Sequence, residues 1–261
     1  LDDPASKTRN LIYQAIHKKL FAGALFHTLT IENSFSPTVL PKLLTQLTDL
    51  PIVSIGAKLS TCASIIAAQE TGMWQLMEYL LTQNRYQRFL FVRGLANNPD
   101  SLIREQIFRA ALQRYQRLAQ VESITGGFDG DVVYKEIFTR LVTASQATAP
   151  PLTTIPLTLP AAPALFPMVI VCANDRMAMA AIEAVHDAGL RIPDDVAVTG
   201  FDNSRECEKS KVPLTTIGQP LRSMGEQAAD MLLDLIAGKP VADRKTPTQL
   251  IIRASSGNGS S

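Results

Sequence analysis

Residues 168–203 read MVIVCANDRMAMAAIEAVHDAGLRIPDDVAVTGFDN, and their pattern decides the fold. Met168 to Cys172 is an unbroken apolar run between Pro167 and Asn174, too short for a stable helix, which marks a strand buried on both faces. A helix follows. Asn174 and Asp175 offer side-chain oxygens to the free N–H groups of its first turn, and Met177, Ala181, Ala184, Val185 and Ala188 recur on one side at helical spacing. Gly189 ends it. After the loop from Leu190 to Pro193, Asp195 to Phe201 forms a second apolar strand that closes in a turn at Asp202 and Asn203. Strand, helix and strand of these lengths make a βαβ unit, whose two strands pair in parallel.

The same alternation runs upstream. The spacing predicts a helix over Thr8 to Leu20, a strand over Ala24 to Leu29, and a helix starting at Ser36-Pro37 with Val39, Leu40, Leu43, Leu44 and Leu47 on its buried side. Strands are expected over Pro51 to Gly56 and Ser64 to Ala67, a helix over Met73 to Gln83, and a strand over Arg88 to Gly94. Beyond the turn-rich Asn97-Asn98-Pro99-Asp100 come a helix from Ser101 to about Gln120, a strand over Val121 to Thr125, and a helix over Val132 to Ala144. Ser145 to Pro167 carries no charge and six prolines, so it reads as an exposed connector rather than a helix. Downstream, Leu221 to Ala237 reads as a helix closed by Gly238, and Gln249 to Arg253 as a strand before a Gly/Ser tail. Alternation of this kind implies α/β architecture, with parallel sheets covered by helices on both faces.

Composition sets the outer limits. The 261 residues are 46% hydrophobic and 19% charged, which suits a globular chain of one or two domains. No apolar stretch reaches the ~18 residues of a membrane span. The formal net charge is +1 and there is no basic run, so any DNA contact is expected from a segment outside this chain. Three widely spaced cysteines, Cys62, Cys172 and Cys207, fit reduced thiols in a cytoplasmic protein and show no metal-ligand spacing.

Several phrases carry a resemblance. CANDRMAMAAIEA, GLRIPDDVAVTGFDN and PLTTIGQP, followed by RSMGEQAADMLLDLIAGKP and IIRASSG, resemble in order and spacing the effector-binding core of the lactose/galactose repressor (LacI/GalR) family. The likeness is close over roughly the last 95 residues and looser upstream. It implies two similar three-layer α/β subdomains of the periplasmic-binding-protein-like type I, with a ligand cleft between them. Carried onto this chain, the subdomains are residues 1–94 with 219–240 and residues 95–218 with 241–261. The resemblance also implies that the family's opening strand, helix and second strand precede Leu1, and that a DNA-reading module lies outside the chain. A homodimer, a small-molecule effector such as a sugar or related polar metabolite, and operator DNA are the implied partners. No cofactor, metal or membrane is.

The site candidates sit where parallel sheets bind ligands, beyond the carboxyl ends of strands. Asn174 and Asp202 each follow such an end: an amide can donate and accept, and a carboxylate can accept from two neighbouring hydroxyls, which suits a polyol. The family resemblance assigns ligand contacts to both, while capping and turn formation explain the same residue types. Arg104 shares a helical stripe with Phe108, Ala111 and Tyr115, so its guanidinium falls near the packed side and needs an acceptor there. It matches the family's arginine in RxxxFxxAL, with Ile107 in place of the usual glycine; a snorkelling or ion-paired arginine is the plain alternative. Where many relatives carry an aspartate four residues before Gly-Met, this chain has Ala68 before Gly72-Met73. Gln69 or Glu70 stands close enough to replace it, and both also fit helix-start roles.

An enzyme is not expected. His17, His27 and His186 lie in separate elements, none beside a serine or cysteine on a strained turn, and no glycine-rich phosphate loop is present. Two other settings for the same core stay open: a sensor domain fused to a diguanylate cyclase or kinase, whose sensor-fused relatives the opening LDDPASKTRNLIYQAI and LPIVSIG resemble, and a periplasmic sugar-binding protein.

Overall fold

The computed structural model describes residues 20–28, 50–83, 85–117, 121–147 and 167–257. The helices expected over Thr8 to Leu20 and from Ser36, and most of the proline-rich connector, lie outside them. The chain divides into two units: residues 1–68 with 220–247, and residues 69–219 with 248–261.

In the smaller unit, β1 (Ala24–His27), β2 (Ile52–Ile55), β3 (Ala63–Ala68) and β9 (Arg244–Pro247) form a parallel sheet in that order. One helix of this unit, α5 (Leu221–Ile236), sets Met224, Ala228 and Met231 against Val53 and Ile65 of the sheet.

The larger unit holds α1 (Gln69–Thr82), β4 (Arg88–Arg93), α2 (Pro99–Arg114), β5 (Val121–Thr125), α3 (Gly130–Ala147), β6 (Met168–Cys172), α4 (Asp175–Asp187), β7 (Val196–Asp202), β8 (Thr215–Gly218) and β10 (Gln249–Ile251). Its sheet runs β10-β8-β7-β6-β4-β5, parallel except for β10. Every residue of β6 is buried, as are the first six of β7 and the middle four of β4. Both faces of these strands are therefore covered, and helix α1 packs with α2 and α3 with α4. Fully burying a valine, isoleucine or leucine side chain contributes about 1.5–3 kcal/mol, so Val169, Ile170, Val171, Val196 and Val198 alone weigh heavily in this core.

The boundaries differ from the sequence reading. Strand β4 pairs with β5 and β6, so it and α1 belong to the larger unit, and the chain leaves the smaller unit between Ala68 and Gln69 rather than at residue 94. The last boundary falls after Pro247 rather than at 240, because Arg244–Pro247 forms β9 alongside β3. A strand reading Arg-Lys-Thr-Pro has the charge and proline of a sheet edge, which hides it from an apolar-pattern search.

Element ends also shift. Helix α1 starts at Gln69, directly after β3, and the N–H of Gly72 within its first turn donates to Thr248 Oγ1 at 3.0 Å, so Gly72 does not mark the start. Helix α2 stops at Arg114, short of Gln120: Gln116 takes a left-handed φ of 56°, and the Arg117 N–H turns back to the Leu112 carbonyl at 2.8 Å. Cys172 and Cys207 are buried, Cys62 is half-buried, and all three are free thiols.

Candidate functional site

The carboxyl ends of β4, β6 and β7 in the larger unit carry the polar residues that the sequence singled out. After β4, the turn to α2 is built from its own residues: Asn98 caps the helix by accepting from the Ser101 N–H at 2.9 Å, Pro99 occupies the first turn, and Ser101 Oγ accepts from the Gly94 N–H at 2.8 Å. This fixes the first turn of α2 and the two charges it carries inward, Asp100 and Arg104.

Arg104 is 5% exposed. Its guanidinium lies over the Phe201 ring, 3.6 Å from the centroid, at the end of β7. Nε donates to Gln69 Oε1 at 2.6 Å, Nη1 donates to the Ala173 carbonyl at 2.5 Å, and Nη2 stands 3.7 Å from Asp100 Oδ2. This burial excludes an arginine reaching to the surface, whereas the ion-paired alternative stands, in the contact with Asp100. Gln69, 7% exposed, closes the group by donating from Nε2 to Asp100 Oδ1 at 2.5 Å. Burial draws the Arg104 pKa down, and Asp202, Asp100 and Asp175 pull it back up.

Asp202 sits at the end of β7 with a φ of 115°, a backbone region that non-glycine residues rarely enter and that collects at ligand sites. Its Oδ1 accepts from Gln219 Nε2 at 2.7 Å. Burial pushes its carboxyl up to about 6; Arg104 opposes that rise, and Asp175 adds to it. Asn174 is half-buried and caps α4, with Oδ1 accepting from the Met177 N–H at 3.0 Å. Among the described residues its amide nitrogen has no hydrogen-bond partner. Glu70 is exposed in the first turn of α1. The structure thus gathers Gln69, Arg104 and Asp202, places Asn174 on the adjacent strand end, and exposes Glu70 where it buries Gln69.

Asp175 corrects the sequence reading. It does not cap α4; its carboxylate, 2% exposed, turns inward to accept from the Ser204 N–H at 2.7 Å, Thr216 Oγ1 at 2.6 Å and Cys207 Sγ at 3.0 Å. Burial raises its pKa and those three donors oppose the rise. Two further residues were not singled out by the sequence. Asp100 lies in a turn-rich stretch where an acidic residue signals a helix start and nothing more. Phe128, with a left-handed φ of 62°, lays its ring against Gly94 beyond the ends of β4 and β5; a bulky aromatic directly after Gly126-Gly127 was its only trace in the sequence.

Chemically the group offers a flat cation backed by an aromatic ring, an oriented amide, two carboxylates each with one oxygen that has no donor among the described residues, and a second amide at Asn174. That set binds donors and acceptors of a small polar molecule. Among the described residues no group of three or more histidine, cysteine, aspartate or glutamate side chains could hold a metal ion.

A family model described as the periplasmic binding protein-like domain matches residues 78–256. The chain belongs to that family. Within the periplasmic binding protein-like family, a 73-residue stretch is 48% identical to the HTH-type transcriptional repressor PurR of Salmonella paratyphi B, covering 28% of this chain and 21% of that protein; the PurR of Salmonella enteritidis PT4 gives the same figures. The matched stretch therefore spans only 21% of the length of those curated relatives. Two solved structures share the fold. One is the lac repressor dimer bound to operator and the anti-inducer ONPF, with a TM-score of 0.69 and 21% identity, covering 92% of this chain and 75% of that one. The other is a LacI family transcriptional regulator from Enterococcus faecium with bound ribose, with a TM-score of 0.70 and 22% identity, covering 92% and 81%. The chain has the α/β architecture of the LacI-type effector-binding core.

Proposed function

We propose that this chain is the effector-sensing core of a LacI-type transcriptional regulator. A small polar metabolite binds at the carboxyl edge of the larger sheet, through Arg104, Asp202, Asn174 and Gln69. Its preference for one conformation of the core shifts the population, and operator affinity in a module elsewhere in the whole protein changes only by as much as that preference allows. The protein works as a cytoplasmic homodimer, consistent with the two-fold half-sites such modules read.

The observation that carries this reading is Arg104. Its guanidinium is buried at the open end of a parallel sheet, on an aromatic face and beside an aspartate in a strained backbone conformation, with Nη2 3.7 Å from Asp100 Oδ2 and so outside hydrogen-bond reach, which leaves that nitrogen to a ligand acceptor. The likeness in fold to a lac repressor bound to ONPF and to a LacI family transcriptional regulator bound to ribose supports the same reading. The test is thermal unfolding against a panel of sugars, amino sugars and nucleosides, since a ligand that binds only the folded state raises the midpoint. The expected result is a midpoint rise for one chemical class with the wild type, and no rise in Arg104→Lys, which keeps the charge and loses the fork. A flat response of the wild type across the panel overturns the proposal.

A further inference from the structure

The hydrogen-bond polarity of the site limits what it accepts, and this inference rests on the ligand-sensing reading above. The Gln69 amide has only one chemically consistent orientation. Arg104 Nε can only donate and a carboxylate can only accept, so Oε1 faces Arg104 at 2.6 Å and Nε2 faces Asp100 at 2.5 Å. Gln69 therefore spends its acceptor on the arginine and its donor on the aspartate. The arginine is engaged as well: Nε on Gln69, Nη1 on the Ala173 carbonyl, and one face on Phe201. Its remaining Nη2 stands 3.7 Å from Asp100 Oδ2, beyond hydrogen-bond reach.

The carboxylates are left with capacity to spare. Asp100 uses Oδ1 for Gln69, and among the described residues no donor lies within hydrogen-bond distance of Oδ2. Asp202 uses Oδ1 for Gln219, and among the described residues Oδ2 has no donor. Asp100 and Asp202 both act on the one guanidinium, so the group carries two negative charges against one positive. Asp175 adds a third carboxylate nearby, already met by three donors. An incoming carboxylate or phosphate would meet this excess of negative charge and free acceptor oxygens, whereas an amine would meet acceptors suited to its N–H groups.

We propose that Asp100 is a specificity-determining residue, which with Asp202 makes this site select an amine-bearing small polar metabolite and reject anionic ones. The amine donates to Asp100 Oδ2 and Asp202 Oδ2, and the hydroxyl or carbonyl groups of the same molecule take the remaining guanidinium N–H groups and the Asn174 amide.

The experiment is isothermal titration calorimetry with matched probes on the wild type and on Asp100→Asn, which keeps an acceptor for Gln69 and removes the charge. The probes are glucosamine, glucose and glucuronate, and adenosine, inosine and adenosine 5′-monophosphate. The expected result is binding of an amine-bearing member at least about tenfold tighter than its amine-free counterpart, with no anionic member binding, and that preference reduced to within about threefold in Asp100→Asn. Tighter binding of an anionic member, equal binding of the amine and its counterpart, or an undiminished preference in Asp100→Asn overturns the proposal while leaving the sensing reading in place. Absence of binding by every probe in the wild type overturns this proposal, and the thermal-unfolding panel decides the sensing reading separately.

Discussion

Asp202 combines three features in one residue: a backbone φ of 115°, a carboxyl pushed up to about 6 by burial, and a hydrogen bond from Gln219. Its folded-state pKa lies above the unfolded value near 3.8, so the stability linked to it is fully present below that value and is lost as pH rises through about 6. Between pH 4 and pH 7 the loss should be about 2 kcal/mol, after allowing for the residue's partial exposure. Urea denaturation of wild type and Asp202→Asn across that range checks it. The variant, which keeps the Gln219 contact and the tolerance of asparagine for positive φ, should show the flatter profile, and superimposable profiles would refute the assignment. At this scale the sequence was informative where chemistry and position coincide. Asn174 and Asp202 follow apolar runs that end at a sheet edge, and the stripe through Phe108 and Ala111 points Arg104 inward. It was silent on Asp100, because an acidic residue after Asn-Pro reads as an ordinary helix start. It left Gln69 and Glu70 as equals; only the fold turns one inward and the other to solvent.

Among the elements, the junction of α4, β7 and β8 is held by one buried carboxylate. Asp175 gathers Ser204 after β7, Thr216 on β8 and Cys207 in the short turn between them, and so locks the strand that ends in Asp202. The space for this is made by Gly200: a methyl group there would collide with Asp175 Oδ1 and stand 3.0 Å from Leu214 Cδ2. Gly200→Ala should therefore destabilise the larger unit by roughly 2–3 kcal/mol in urea denaturation. Gly225→Ala, in the second turn of α5, where the added methyl meets no atom of the described residues within 4 Å beyond its chain neighbours and the helix's own backbone, should instead stabilise by about 0.5–1 kcal/mol through helix propensity. Equal effects at the two positions would show that close approach to Asp175 is not what Gly200 serves. The βαβ unit around this junction was legible from residues 168–203, since its strands are wholly apolar and its helix amphipathic. The inward turn of Asp175 was not legible, because Asn174 and Asp175 are equally good caps by residue type and only tertiary packing separates them.

For the molecule as a whole, neither unit is continuous in sequence. The smaller takes α5 and β9 from residues 220–247, and the larger is completed by residues from 248 onward. That completion is chemical as well as geometric. Ser255 Oγ accepts from the Thr215 N–H at 2.9 Å and donates to the Val198 carbonyl at 2.5 Å, Ser256 Oγ donates to Thr215 Oγ1 at 2.7 Å, and the Tyr86 hydroxyl donates to the Ser256 carbonyl at 2.7 Å. Ser255→Ala should cost about 2 kcal/mol, because it leaves a buried N–H and a buried carbonyl without partners. An unchanged urea midpoint would mean that this segment merely lies on the sheet. The first crossing between units was misplaced from sequence for a related reason: β3 runs into α1 without a loop, so composition does not change where the chain passes from one unit to the other.

A ribosome makes such a chain in an order that the finished fold does not respect. Residues 69–219 emerge with β8 paired to β7 but still lacking β10, and the nascent larger unit must wait, its edge strand open, while residues 220–247 bring α5 and β9 to the smaller unit first. Only then does the segment that pairs with β8 and seats Ser255 leave the exit tunnel. A translation product interrupted near residue 247 would thus present the larger unit as an unfinished sheet, an obvious substrate for chaperones and proteases.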